Sequence, residues 1–107
     1  RFGVAYLEKG KVVRIEEKPK KPTSNLITTG LYMYDKQVFD LVKTIAPSKR
    51  GELEITDLNN MYVQKGLMTY DILKGDWTDA GTFDSLLHAS KLVAEKFGKK
   101  GPDARLL

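Results

Sequence analysis

From Phe2 to Leu7 the chain is mostly apolar, the Glu8-Lys9-Gly10-Lys11 stretch interrupts it, and Val12, Val13 and Ile15 resume the apolar pattern. Two short apolar runs joined by a tight glycine-containing turn predict a β-hairpin. The run LITTGLYMY, Leu26 to Tyr34, is rich in β-branched and aromatic residues around Gly30, and predicts a third strand expected to lie centrally in the sheet. Helical spacing follows: Val38, Leu41, Val42 and Ile45 predict a helix from about Lys36 to Ile45, capped by Asp35 and ended by Pro47. Ile55, Leu58 and Tyr62 predict a second helix over Ile55 to Lys65, stopped at Gly66. Met68 to Leu73 alternates as a strand. Thr82 caps a last helix whose face carries Phe83, Leu86, Leu87, Ser90, Val93, Ala94 and Phe97. The pattern gives an α/β class, a mixed sheet with flanking helices. It is read as one domain over 1–97 and a basic tail over 98–107, without an internal repeat.

Composition narrows the chemistry. At 107 residues and 41% apolar content the chain supports one modest core. It starts at Arg1, without methionine, on residues that already read as a strand, and is therefore expected to be a piece of a longer protein. No apolar run approaches a membrane span and no leader pattern is present, so the expected setting is cytoplasmic, with no membrane partner. Cysteine is absent and His88 stands alone, which removes thiolate nucleophiles and zinc sites built on Cys or paired His. A metal would have to be held by oxygen, which favours Mg²⁺ or Mn²⁺. The net charge of +4 leans mildly toward anionic partners such as phosphates and is too small to argue for nucleic acid.

Several polar residues fall at predicted strand ends and turns, where sites are commonly built. They are Glu17 and Lys18 in RIEEKPKKPTSN, Gly30 and Tyr32, Arg50 in SKRGE, and Asp79 between Trp77 and Gly81. Each has an ordinary explanation as an edge charge pair, a bulge, a turn or a cap. Together they contain the parts for binding a phosphate monoester with a divalent ion: cations for the oxygens, a carboxylate for the metal and another for hydroxyls. Asp84, Ser85 and His88 lie on neighbouring turns of one helix, with no oxyanion hole in view, and read as a solvated face. The lysine clusters lack interleaved aromatics, and neither GxGxxG nor GxxxxGK[ST] occurs.

The blocks FGV (2–4), IEEKPKKPTSN (15–25), TGLYMYD (29–35), SKRGELEITDLNN (48–60) and WTDAGTFDSLLHAS (77–90) resemble, in order and spacing, the C-terminal part of the sugar-1-phosphate nucleotidyltransferases. Within that family the resemblance is strongest to the glucose-1-phosphate thymidylyltransferases, and it runs from Phe2 to about Val93. It implies the C-terminal part of a Rossmann-like nucleotidyltransferase fold. By carry-over, Glu17 accepts hydrogen bonds from sugar hydroxyls and Lys18 and Arg50, the catalytic pair, hold the phosphate. Gly3 offers backbone to the sugar, Gly30 and Tyr32 line the pocket, and Asp79 is a Mg²⁺ ligand. The metal block more often reads Leu-Asp-Thr-Gly in the family, where this chain has Thr78-Asp79-Ala80-Gly81.

The family's glycine-rich triphosphate loop and second metal-binding aspartate are not in this sequence, so the second Mg²⁺ ligand is expected from the missing N-terminal half. The implied reaction joins glucose 1-phosphate to dTTP, giving dTDP-glucose and pyrophosphate, in a nucleotide-sugar pathway, with these residues inactive alone. The implied partners are a sugar 1-phosphate and a nucleoside triphosphate, with assembly as a homo-oligomer. Two alternatives stay open: a non-catalytic, self-associating α/β module, and a nucleotidyltransferase that uses another sugar or base.

Overall fold

The computed structural model describes residues 2–98. The chain divides into two compact units, one ending at Asp71 and the other starting at Ile72. Within the first unit, strands β1 (Gly3–Glu8) and β2 (Lys11–Glu17) form the expected antiparallel hairpin. Its two-residue loop, Lys9 and Gly10, takes positive φ at both positions (47° and 74°), the geometry of the turn whose twist matches that of paired strands. The register slips between Tyr6 and Leu7, where Tyr6 faces Arg14 and Leu7 faces Val12, so Val13 is the extra residue of a β-bulge.

The third strand is present only in part. β3 is Leu26–Ile27, paired antiparallel with β1, and the sheet order β2-β1-β3 places β1 at the centre and β3 at an edge. Thr28 still donates its backbone N–H to the Gly3 carbonyl at 2.9 Å. β1 begins at Gly3, so from Thr29 to Tyr34 there is no facing β1 residue to continue the ladder. Strand propensity in this run is therefore not expressed as pairing, which corrects the central strand expected over Leu26 to Tyr34. Met68 to Leu73 is likewise not a strand: Tyr70, Ile72 and Leu73 are exposed and the segment takes no regular structure.

The first predicted helix is shorter than its pattern. Val38–Leu41 forms α1, and Val42–Thr44 tightens into a 3-10 turn before Ile45 becomes extended ahead of Pro47. The N-cap is Gln37, with no side-chain cap bond, which corrects the expected Asp35 cap; Asp35 Oδ1 instead accepts the Gln37 backbone N–H at 3.1 Å in the turn ahead of the helix. α2 (Ile55–Gln64) ends as expected on Gly66, φ 69°, with Gly66 N–H donating to Val63 and Leu67 N–H donating to Tyr62. That pair of bonds is a Schellman motif. The buried residues of α2 are Thr56, Leu58, Asn59 and Tyr62, while Ile55 is exposed, so the inward face is more polar than the apolar spacing implied.

α2 packs against β2. Asn60 fixes the contact: its Oδ1 accepts from Ile15 N and its Nδ2 donates to Ile15 O, both at 2.8 Å. A side-chain amide thus completes the backbone bonding that a further strand would have supplied. Val4, Tyr6, Ile15, Leu58 and Tyr62 form the buried apolar core.

In the second unit, α3 (Phe83–Phe97) starts on a capping box, with Thr82 Oγ1 accepting from Ser85 N and Ser85 Oγ accepting from Thr82 N. Its apolar residues Phe83, Leu86, Leu87, Val93 and Phe97 are exposed. The basic tail lies beyond Gly98, outside the described residues. No helix among the described residues is long and apolar enough to cross a membrane.

Candidate sugar-phosphate site

The hairpin delivers Glu17 and Lys18 to one end of the sheet. Glu17 faces Gly3 across the ladder, and Lys18 N–H still donates to Phe2 O at 3.2 Å. A Cβ on Gly3 would sit 2.6 Å from Thr28 Oγ1 and 3.6 Å from Glu17 Oε2. The Thr28 hydroxyl would have to shift for any larger residue here, whereas the Glu17 carboxylate would stand at ordinary contact distance. Immediately after Glu17 the backbone turns left-handed: Lys18 has φ 45°, which is costly for a residue with a Cβ. That turn is held by the Phe2 bond, and the Lys18 ammonium lies 3.6 Å from Glu17 Oε1.

The start of α2 meets the same strand end. Thr56, in the first turn, donates its hydroxyl to Glu17 Oε2 at 2.7 Å. Just before the helix, Glu54 accepts from Ser48 Oγ at 2.8 Å and gathers Arg50: Nε reaches Oε1 at 3.2 Å and Nη2 reaches Oε1 and Oε2 at 2.9 and 3.0 Å. Glu52 adds a second contact to Arg50 Nη2 at 3.2 Å. The Arg50 bond, then the Ser48 bond, hold the Glu54 carboxyl below its ordinary range, with the Lys18 charge assisting. In return Glu54 first, then Glu52 and more distantly Glu17, raise the Arg50 guanidinium above its usual value. The blocks IEEKP and RGELEIT are thus joined into one charged cluster, in which two cations stand against three carboxylates.

Tyr32 and Gly30 are placed differently. Tyr32 stacks on Tyr34 at 6.1 Å, and Tyr34 packs against Tyr62 of α2 at 5.4 Å. Tyr34 donates to Asn59 Oδ1 at 2.6 Å, and Tyr62 donates to Asp35 Oδ1 at 2.9 Å. Burial, then the neighbouring Tyr32 and Tyr62, push the Tyr34 hydroxyl up to about 12. The middle of α2 therefore anchors the aromatic group while its first turn engages Glu17. Gly30 needs its φ of 86° and has open space where a Cβ would be.

Asp79 lies in the second unit, half-buried, with both carboxylate oxygens 3.4 Å from where a Cβ on Gly81 would stand. Among the described residues there is no group of three or more His, Cys, Asp or Glu that could hold a metal ion. The oxygen donor of Asp79 suits a hard cation in kind, but one carboxylate is too few ligands for Mg²⁺. An open groove of about 310 Å³ between β2 and the end of α2, lined by Val12, Val13, Val63 and Met68 among others, contains none of the residues singled out from the sequence.

Glu54, Thr56 and Asn60 were not singled out in the sequence. No local pattern marks them: Arg50 and Glu54 meet in a turn rather than on a helix face, and the partners of Thr56 and Asn60 lie 39 and 45 positions away.

Comparison with known proteins agrees with the family to which the blocks point. Residues 1–96 match the family model described as nucleotidyl transferase. A glucose-1-phosphate thymidylyltransferase of Mycolicibacterium smegmatis is 48% identical over 95 residues, covering 86% of this chain and 33% of that protein. Its counterpart in Neisseria meningitidis is 46% identical over 96 residues, again covering 33% of that protein. A crystal structure assigned as a glucose-1-phosphate thymidylyltransferase from Bacillus anthracis, in complex with sucrose, superposes with a TM-score of 0.78 at 53% identity, over 86% of this chain and 37% of that one. This chain spans about a third of the length of its relatives. The expectation that this third is their C-terminal part is not borne out by these matches. The chain belongs to the nucleotidyl transferase family.

Proposed function

We propose that these residues form the sugar-phosphate-binding portion of an enzyme that makes dTDP-glucose and pyrophosphate from glucose 1-phosphate and dTTP. The observation that carries this reading is the bond from Thr56 to Glu17 at the end of the hairpin, where Lys18 pairs with Glu17 beside Gly3, with Arg50 held by Glu54 two residues ahead of Thr56. Glu17 accepts hydrogen bonds from hydroxyls of the sugar, and Lys18 and Arg50 offset the charge of its phosphate. Tyr32 lines the pocket wall with Gly30. In the reaction an oxygen of the sugar phosphate attacks the α-phosphorus of dTTP, a new P–O bond forms, and the bond to the departing pyrophosphate breaks. Held reactants and neutralised charge supply the acceleration. Asp79 would contribute one carboxylate to a Mg²⁺ ion whose remaining ligands lie outside this chain, and the ion when bound would neutralise phosphate charge. The enzyme works in the cytoplasm as a homo-oligomer.

The test is a chimera in which this chain replaces the matching 96 residues of the Neisseria meningitidis enzyme. It should form dTDP-glucose and pyrophosphate, whereas the 107 residues alone should form none. Asp79→Asn in the chimera should leave the melting temperature in place while shifting the Mg²⁺ titration of turnover. A folded chimera that makes no dTDP-glucose contradicts the reading, and an unaltered titration removes Asp79 from the metal site.

A further inference from the structure

Arg50 poses a problem for any phosphate-binding role, because its guanidinium already meets Glu54 and Glu52. Two explanations have opposite signs. Glu54 either competes with a phosphate for Arg50, or holds the guanidinium in place for it.

The geometry favours holding. Only 14% of the Glu54 side chain is exposed, against 50% of Arg50, so the carboxylate is the inner, fixed partner and the cation the outer one. Glu54 is itself fastened by Ser48 Oγ. Ser48 also organises the turn that carries Arg50: its Oγ accepts Arg50 N–H at 3.2 Å, its carbonyl accepts Gly51 N–H at 2.8 Å, and its N–H donates to Glu52 O at 2.8 Å. Gly51 permits the turn through its φ of 76°. Glu54 engages Nε and Nη2, one edge of the fork, in all three bonds, while Nη1 takes part in none of them. A flexible arginine loses rotamer freedom when it binds an anion; one already held on one edge has given up most of it beforehand.

We propose that Glu54 is a positioning residue that fixes Arg50 for an incoming phosphomonoester, an inference that rests on the sugar-phosphate reading above. Ser48 is the lock on that arrangement. Glu54 touches neither sugar nor phosphate; it acts through Arg50.

Glucose 1-phosphate titrated into the 107-residue protein tests this, with the Arg50 Nε–H resonance followed alongside. Glu54→Gln keeps the shape of the side chain and its capacity to accept from Ser48, and it makes the cluster more positive by one charge. If Glu54 positions Arg50, this variant should bind glucose 1-phosphate about tenfold more weakly despite that added positive charge. Ser48→Ala should weaken binding in the same direction by about threefold. In an Arg50→Ala background Glu54→Gln should change nothing further. The Arg50 Nε–H should exchange slowly with water in the unaltered protein and rapidly in Glu54→Gln. Tighter binding by Glu54→Gln would overturn the proposal in favour of competition, as would equal exchange in the two proteins. If the unaltered protein does not bind glucose 1-phosphate, the sugar-phosphate reading fails instead, and the exchange rates alone decide whether Glu54 fixes Arg50.

Discussion

Thr56 donates its hydroxyl to Glu17 Oε2 at 2.7 Å, tying the first turn of α2 to the last residue of β2 across 39 positions of sequence. Thr56 is 5% exposed, so its hydroxyl depends on this carboxylate. Thr56→Val keeps the shape and deletes the donor. It should lower the unfolding free energy by about 1 kcal/mol and weaken glucose 1-phosphate binding, because Glu17 would be free to rotate. Urea unfolding and calorimetric titration of the same preparation check both outcomes.

Gly3 makes a steric prediction with a built-in rescue. Gly3→Ala places a methyl group 2.6 Å from Thr28 Oγ1, and relieving that overlap should cost about 1–3 kcal/mol. Thr28→Ala removes the clashing hydroxyl, so the double variant should recover most of the loss. A double variant as unstable as Gly3→Ala would place the strain elsewhere.

Lys18 sets stability against function. Its φ of 45° suits glycine, and Lys18→Gly retains the backbone N–H that bonds Phe2. Relief of the left-handed strain should exceed the entropy cost of glycine, raising stability by up to about 1 kcal/mol. The same change removes the ammonium and should abolish the contribution of this position to phosphate binding. Denaturant melts showing a lower stability for Lys18→Gly than for Lys18→Ala would contradict the strain account.

The tyrosine cluster predicts an alkaline loss of stability. Tyr34 is raised from 10.0 to about 12 in the folded protein, chiefly by burial. A folded pKa above the unfolded one means that the full contribution is present below the unfolded value of 10.0 and is lost as pH rises toward about 12. Unfolding free energies measured from pH 9 to 12 should fall across that interval, and the fall should be smaller in Tyr34→Phe. Equal slopes in the two proteins would rule Tyr34 out as the cause.

Local signals were readable wherever one residue decides the geometry. Lys9-Gly10 specified the hairpin turn, Gly66 the end of α2 and Thr82 the start of α3. Strand formation was less legible, because β-branched residues state a preference while a ladder needs a neighbour. The run from Thr29 to Tyr34 has the preference and runs past the start of β1. The inward face of α2 was misread for a similar reason: Thr56 and Asn59 are buried because Glu17 and Tyr34 offer them partners, which helical spacing cannot reveal. In the site, Glu17, Lys18 and Arg50 were legible through the family's blocks, whereas the two carboxylates already facing Arg50 emerged only from the folded turn.

The central claim is that the end of the hairpin and the start of α2 form one sugar-phosphate site, and amide chemical shifts recorded while glucose 1-phosphate is added to the 107-residue protein test it most directly. Saturable shifts should concentrate at Gly3, Glu17, Lys18, Arg50 and Thr56, and Lys18→Ala should weaken the fitted affinity by about tenfold or more. Shifts that never saturate, or an affinity untouched by Lys18→Ala, would contradict the account.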